Sequence, residues 1–215
     1  MELWHAWLGL LNHLLQTLAT DFGLGMGLAI IVMTLAIRAA MLPLTWSLAY
    51  RGAQRQAKLA ALEPQLKIIR ERYAKDSQEQ IKRTMDLYRE HGLSLADVKS
   101  LIGAILQMPV ISGFYQTLRS GLESSAFLWV RNLNRPDVFL AILAAAATAL
   151  TMAVAPNMSE SMRVALILVP ALFCLLGALH FSSGISLYWI TSNLFSAFQT
   201  VALRHVTRRR NSASL

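Results

Sequence analysis

One arginine, Arg38, sits inside the run Thr34-Leu-Ala-Ile-Arg38-Ala-Ala-Met-Leu-Pro43-Leu-Thr45, which is otherwise apolar enough to cross a bilayer. At the centre of a spanning helix such a charge costs roughly 2.5–3.5 kcal/mol, and it normally faces a bundle interior or a water-filled cavity. A guanidinium effectively never loses its proton, so it offers a permanent cation and a partner for carboxylates. The other reactive groups form no set. His180-Phe-Ser-Ser183-Gly184 puts a serine near a histidine, as an intramembrane hydrolase would, but no glycine stands two residues before Ser183 and no second span carries a histidine as base. His5 and His13 share a helix face about two turns apart, too far to hold one metal. Cys174 is the one cysteine and lies in an apolar run, so neither a disulfide framework nor a thiolate cluster is available. The residues predict no catalytic group, no metal and no cofactor.

The composition supplies the context. Of 215 residues, 55% are hydrophobic and only 15% charged, with a mean hydropathy of +0.44, a balance foreign to an ordinary soluble fold. The sequence predicts an all-α integral membrane protein, one domain over 1–215, with five transmembrane helices at 22–47, 99–118, 138–155, 164–179 and 185–203. Residues 3–19 hold leucines and aromatics without lysine or arginine and read as an amphipathic interfacial helix, with Trp4 and Trp7 at headgroup level. Thr20-Asp21 offers a cap for the helix that follows. The first residues lack the basic region of a secretory signal, so no cleaved leader is expected.

Residues 48–98 are a different material. Positions 51–99 carry eleven Lys/Arg and seven Asp/Glu. Leu59, Leu62, Leu66, Ile69 and Tyr73 recur at helical spacing and are answered by Ile81, Met85 and Tyr88, which predicts a helical hairpin between spans one and two. Asp76-Ser-Gln-Glu79 caps its second arm, His91-Gly92 closes it, and Pro64 kinks the first. With five spans, the hairpin, the loop at Arg163 and the basic tail 204–215 share one side with sixteen Lys/Arg, against Arg119, Arg131 and Arg135 on the other. The positive-inside rule then puts the N-terminus outside and the hairpin and tail in the cytoplasm. The net charge of +8 is therefore mainly topological and predicts no DNA partner. Asn157-Met-Ser159 matches a glycosylation sequon that would be idle on the cytoplasmic side.

Two of these spans carry polar stripes. At 100° per residue, Thr34, Arg38, Met41 and Thr45 fall within roughly a 60° arc, and Pro43 frees the carbonyl of Ala39 beside them. Ser186, Trp189, Asn193, Ser196 and Thr200 fall within roughly 80° on the fifth span. Polar groups at this depth face one another or water, so a shared cavity is expected. Gln107 and Pro109, near the middle of the second span, are tolerated there only against protein or water. Trp129 reads as an interfacial anchor, Ala144–Ala147 as a close-packing face, and Ser182-Ser183-Gly184 as the cap of the fifth span. Three other readings stand beside this one: Arg38 as a structural strut, a small-solute transporter or channel using Arg38 as its substrate site, and a scaffold docking partners through the hairpin.

Taken in order, Arg38-x4-Pro43-Leu44-Thr45, Glu63-Pro64 with Tyr73, Gln107-Met-Pro109, Phe127-Leu-Trp129 and Leu187-Tyr-Trp-Ile-x-Ser-Asn193 with Gln199 resemble the YidC/Oxa/Alb membrane-protein insertases. The resemblance implies a membrane chaperone of the bacterial plasma membrane, not an enzyme, in which client segments enter a hydrophilic groove and leave sideways into lipid. It puts Arg38, Thr34 and Trp189 in that groove, to which the polar stripes add Thr45, Asn193, Ser196 and Thr200 and the second span adds Gln107, and it puts Met108, Pro109 and the fifth span, with Tyr188, along the surface on which a client slides. Its partners would be nascent membrane proteins and the bilayer, with a Sec-type translocon, the ribosome and targeting factors left open. The chain departs from the family at Ser94-Leu-Ala-Asp97, where an Asn-Pro-Gly turn is common, and at Ser183-Gly184 in place of Pro-Gly. It also carries neither a large external domain nor a long basic tail, which argues against strong ribosome tethering.

Overall fold

The computed structural model describes residues 2–93, 98–121, 125–155 and 160–212. Among them are α1 (Glu2–Gln16), continued by a π-helical turn (Thr17–Asp21), α2 (Gly25–Ala40), α3 (Leu42–Arg72), α4 (Ser77–Glu90), α5 (Val98–Gly121), α6 (Val138–Ala153), α7 (Glu160–Ala178) and α8 (Ser183–Ser212). The Ser94–Asp97 turn and the Asn157–Ser159 sequon lie outside the described residues. Helix α8 is the hub, packing against α2, α3, α5, α6 and α7.

The first expected span is not one straight helix. It ends at Ala40, and α3 starts again at Leu42 after a 63° bend. Pro43, in the first turn of α3, has no N–H to continue the ladder and is pre-shaped to start a helix, so the chain breaks just before it. Helix α3 then runs 31 residues without interruption, past the boundary expected at Ser47 and through Pro64, which does not end it. No single described helix is long and apolar enough to cross a membrane, although the bent pair α2–α3 meets that measure jointly. Helix α6, at 16 residues, extends about 24 Å against about 30 Å of hydrocarbon. Helix α8 continues through the boundary expected at Leu203, so the basic tail is a prolongation of the last helix to Ser212.

The bundle is inverted relative to a soluble protein. Ala141, Ala144, Ala147 and Thr148 of α6 are buried, while Phe139, Ile142, Leu143 and Leu150 on the same helix face outward. Small residues let α6 approach its neighbours closely, and within the alanine run Ala144 and Ala147 do so. Asp137 caps α6 by accepting from the Leu140 amide at 2.9 Å and also accepts the Trp129 indole N–H at 3.3 Å. Before it, Phe127 and Val130 pair across a tight turn that holds Leu128 at φ 52°.

Helix α1 is no free surface helix: Leu11 and Leu15 are fully buried in the main core with Ile30, Phe114 and Leu133. Thr20 and Asp21 do not cap α2, whose N-cap position is Leu24 without a side-chain bond. The Thr20 hydroxyl instead donates to the Gln16 carbonyl at 2.7 Å. Likewise the serine cap of α8 is replaced. The Ser183 and Gly184 amides donate to the carbonyls of Arg135 and Leu133 at 3.0 and 3.1 Å, and the Ser183 hydroxyl adds a 2.6 Å bond to Arg135. Those loop carbonyls satisfy the exposed end of the helix, which removes the need for a side-chain cap. They also engage the serine that a hydrolase would need free.

The hairpin of α3 and α4 stands apart, and among the described residues α4 touches α3 alone. Its small core is Leu62, Leu66 and Leu87, flanked by Ile69, Tyr88 and Leu93. Ile81 and Met85 are exposed, so the inward face of α4 is turned from the one expected. Asp76 caps α4 through the Glu79 amide at 3.1 Å, and Gly92, at φ 64°, closes it.

Candidate functional site

Helix α2 delivers Arg38 in its last turn, where the unsatisfied carbonyls of a helix C-terminus favour a cation. The bend at Met41 therefore explains how the charge is tolerated: it lies at a helix end, not in mid-helix. The side chain is partly buried and lines a cavity of about 580 Å³. Helix α8 contributes Tyr188, Trp189, Ser192 and Asn193 to that cavity, α6 contributes Thr148, α5 Ile111, and α7 the face from Val169 to Gly177.

The polar stripes meet only in part. Arg38, Trp189 and Asn193 share the cavity. Thr34 does not: it is buried, and its hydroxyl bonds the Ile30 carbonyl at 2.6 Å. Ser196 and Thr200 turn back onto the carbonyls of Ser192 and Ser196, both at 2.9 Å, and stand outside the lining. Thr45 ties α3 to α8 one layer away, outside the second stripe, accepting a hydrogen bond from the Gln199 amide at 3.2 Å. Gln107 lies in α5, its side chain outside the described residues. Met108 and Pro109 are exposed on α5. Tyr188, expected on the surface along which a client slides, is buried at the cavity wall, its ring stacked on Phe114 with centroids 4.8 Å apart.

The lining also contains residues that periodicity on two helices could not find. Thr148 accepts from the Asn193 amide at 3.0 Å, and Thr151, three residues on, donates to the Asn193 carbonyl at 2.9 Å. Two threonines at this spacing in an alanine-rich helix were the available signal. Asn193→Ala is expected to loosen α6 from α8 by about 1 kcal/mol, the scale of interhelical hydrogen bonds in membrane bundles. Thermal unfolding in detergent measures it, and an unchanged midpoint would show that the contact carries no net stability. Ser192 is also new: it is 4% exposed and its hydroxyl has no bonding partner among the described residues.

The cavity opens sideways. No Cα of α5 comes within 8 Å of one in α7 among the described residues, and the space between them is edged by Ile111 on one side and by Val169 and Phe173, 80% exposed, on the other. Near the α7–α8 turn, Tyr115, Phe181 and Trp189 pack edge to face at 5.7 and 5.8 Å and form an aromatic end wall.

An all-α bundle that is apolar outside and encloses a cation in a laterally open cavity is the architecture of a protein embedded in lipid. The family model of the 60Kd inner membrane protein matches residues 17–210. Over 204 residues the chain is 36% identical to membrane protein insertase YidC 1 of Bacillus anthracis, covering 87% of this chain and 75% of that one. It is 30% identical over 191 residues to membrane protein insertase YidC of Helicobacter pylori strain 26695, covering 86% of this chain and 34% of that one. A crystal structure of an active YidC insertase with its first transmembrane domain resolved shares the fold, with a TM-score of 0.68 and 20% identity, covering 90% of this chain and 45% of that one. The chain belongs to the 60Kd inner membrane protein family, that of the YidC insertases of bacterial inner membranes.

Proposed function

We propose that this chain is a membrane-protein insertase in which the Arg38 cavity is the groove that receives client segments. The observation that carries this reading is the side opening between α5 and α7. A cavity with an apolar rim and a cationic, hydroxyl-bearing interior suits a segment whose tail is polar and whose body belongs in lipid. Each charged group of such a tail is costly in hydrocarbon, and a wet recess shortens that path. Arg38 attracts acidic tail residues, Trp189 and Asn193 line the recess, and Met108 and Pro109 are exposed on α5, the helix that edges the opening. Thr34, Thr45, Ser196 and Thr200 support the walls. The client leaves under its own apolar surface, so the protein itself hydrolyses nothing.

In this reading α2–α3, α5, α6, α7 and α8 are the five crossings, with the N-terminus outside. The α3–α4 hairpin and the end of α8 face the cytoplasm, where ribosome, targeting factors or a Sec-type translocon would meet them. A transporter would need paired ionisable groups, and no carboxylate lines the cavity among the described residues. Proteoliposomes containing this protein alone are expected to insert a short-tailed, single-spanning client into a protease-protected form. An engaged client is expected to shield Cys174, which lines the cavity, from maleimide. Insertion no better than in protein-free liposomes would overturn the proposal.

A further inference from the structure

We propose that α1 is a strut that holds α5 in place and so sets the width of the side opening, with Trp7 as its positioning residue. Of the two helices that edge the opening, α7 is braced by its long contact with α6 and by α8. Among the described residues, helix α5 rests on α1, α3 and α8 and has no helix packed against it on the α7 side. Its position relative to α7 is therefore set from behind.

The contact from behind is specific. The Trp7 indole N–H donates to the Pro109 carbonyl at 3.1 Å, on α5 two residues before Ile111, which edges the opening. One turn on, Gly113 has no room for a side chain, since a Cβ there would lie 2.6 Å from Trp7 Nε1 and 2.8 Å from Leu11 Cδ1. Leu11 is 1% exposed, as is Phe114, whose ring stacks on Tyr188 in the cavity wall. An unbroken series of packed groups thus runs from α1 through α5 to the lining. A proline inside α5 removes one rung of its helical ladder, which makes position 109 the place where the helix yields most easily. Trp7 clasps the carbonyl there.

The inference depends on the insertase reading only for its effect on insertion, and the opening can be measured without a client. Cys174 is the chain's one cysteine, and Ile111→Cys places a second thiol across the gap. The full chain in proteoliposomes is treated with a small maleimide, and the Ile111→Cys form with bis-maleimides of graded length. Trp7→Phe keeps the packing and removes the donor, and it is expected to change the Cys174 alkylation rate about threefold, the scale of one neutral hydrogen bond, and to shift the preferred crosslinker length. Gly113→Ala, which pushes Trp7 away, should shift both in the same direction. Leu10→Ala, on the exposed face of α1, should shift neither. Wild-type rates and lengths in both Trp7→Phe and Gly113→Ala, or an equal shift in Leu10→Ala, would overturn the strut. A shift in thiol geometry in a protein that inserts no client would uphold the strut and overturn the insertase reading. Lost insertion with unchanged thiol geometry would do the reverse.

Discussion

Arg38→Ala is expected to lower insertion of clients with acidic tails by about tenfold and to leave clients with neutral tails near the wild-type rate. At about 4 Å and an effective dielectric near 20, a guanidinium and a carboxylate attract by about 4 kcal/mol before desolvation. If desolvation offsets roughly two thirds of that, about 1.4 kcal/mol remains, a factor of about ten. Arg38→Lys keeps the charge but loses the planar fork, so it should fall between wild type and alanine. The comparison needs matched clients that differ only in tail charge, scored by protease protection in proteoliposomes. A purely structural arginine would lower the yield of folded protein and reduce every client equally, and that outcome would remove Arg38 from the recognition step.

Gly27→Ala is expected to destabilise the protein by about 3 kcal/mol, at the upper end of ordinary overpacking. A Cβ at this position would lie 2.6 Å from the Cβ of Phe127 and would overlap its ring. The obstacle is the root of the phenylalanine, so rotating its tip gives no relief. Nor can the turn easily deform or retreat, because Phe127 and Val130 exchange two 2.9 Å backbone bonds, Leu133 is tied to Ser125 at 2.8 Å, and the Leu133 carbonyl is held by the Gly184 amide of α8 at 3.1 Å. In a chain of this size such a loss lowers the melting midpoint by about 6–12 °C. Gly52→Ala, where nothing lies within 4 Å, is the control: in a helix interior alanine is preferred over glycine by about 0.5–1 kcal/mol. Equal melting points for the two variants would show that the Gly27–Phe127 contact does not exist in the membrane-embedded protein.

The centre of the site was legible in the sequence because helical periodicity is strict over short distances. Arg38, Trp189 and Asn193 were expected to share a cavity, and they do. Thr34 has the same angular position, but periodicity reports only direction around an axis. It cannot say how close the neighbouring chain comes, and packing leaves Thr34 only 1% exposed. The burial of Tyr188 was not legible, because Phe114, its stacking partner, comes from α5 and carries no signal linking it to α8. The bend was half visible. Pro43 marked a lost hydrogen bond, but a proline near a helix start can kink, break or merely begin a turn, and packing decides among these. The outward turn of Ile81 and Met85 has a similar origin, since a helix with apolar residues on two adjacent faces does not announce which one its partner covers.

The unbroken length of α3 has a mechanical consequence. Its 31 residues make a helix of about 45 Å that starts at the bend at Met41, with Arg38 on the short side of the bend and the hairpin tip at the far end. A tip excursion of about 10 Å corresponds to only about 13° of rotation at that length. If α3 moved as one body, contact with a bulky partner at the tip would reach the guanidinium reduced in amplitude and raised in force, as at the short arm of a lever.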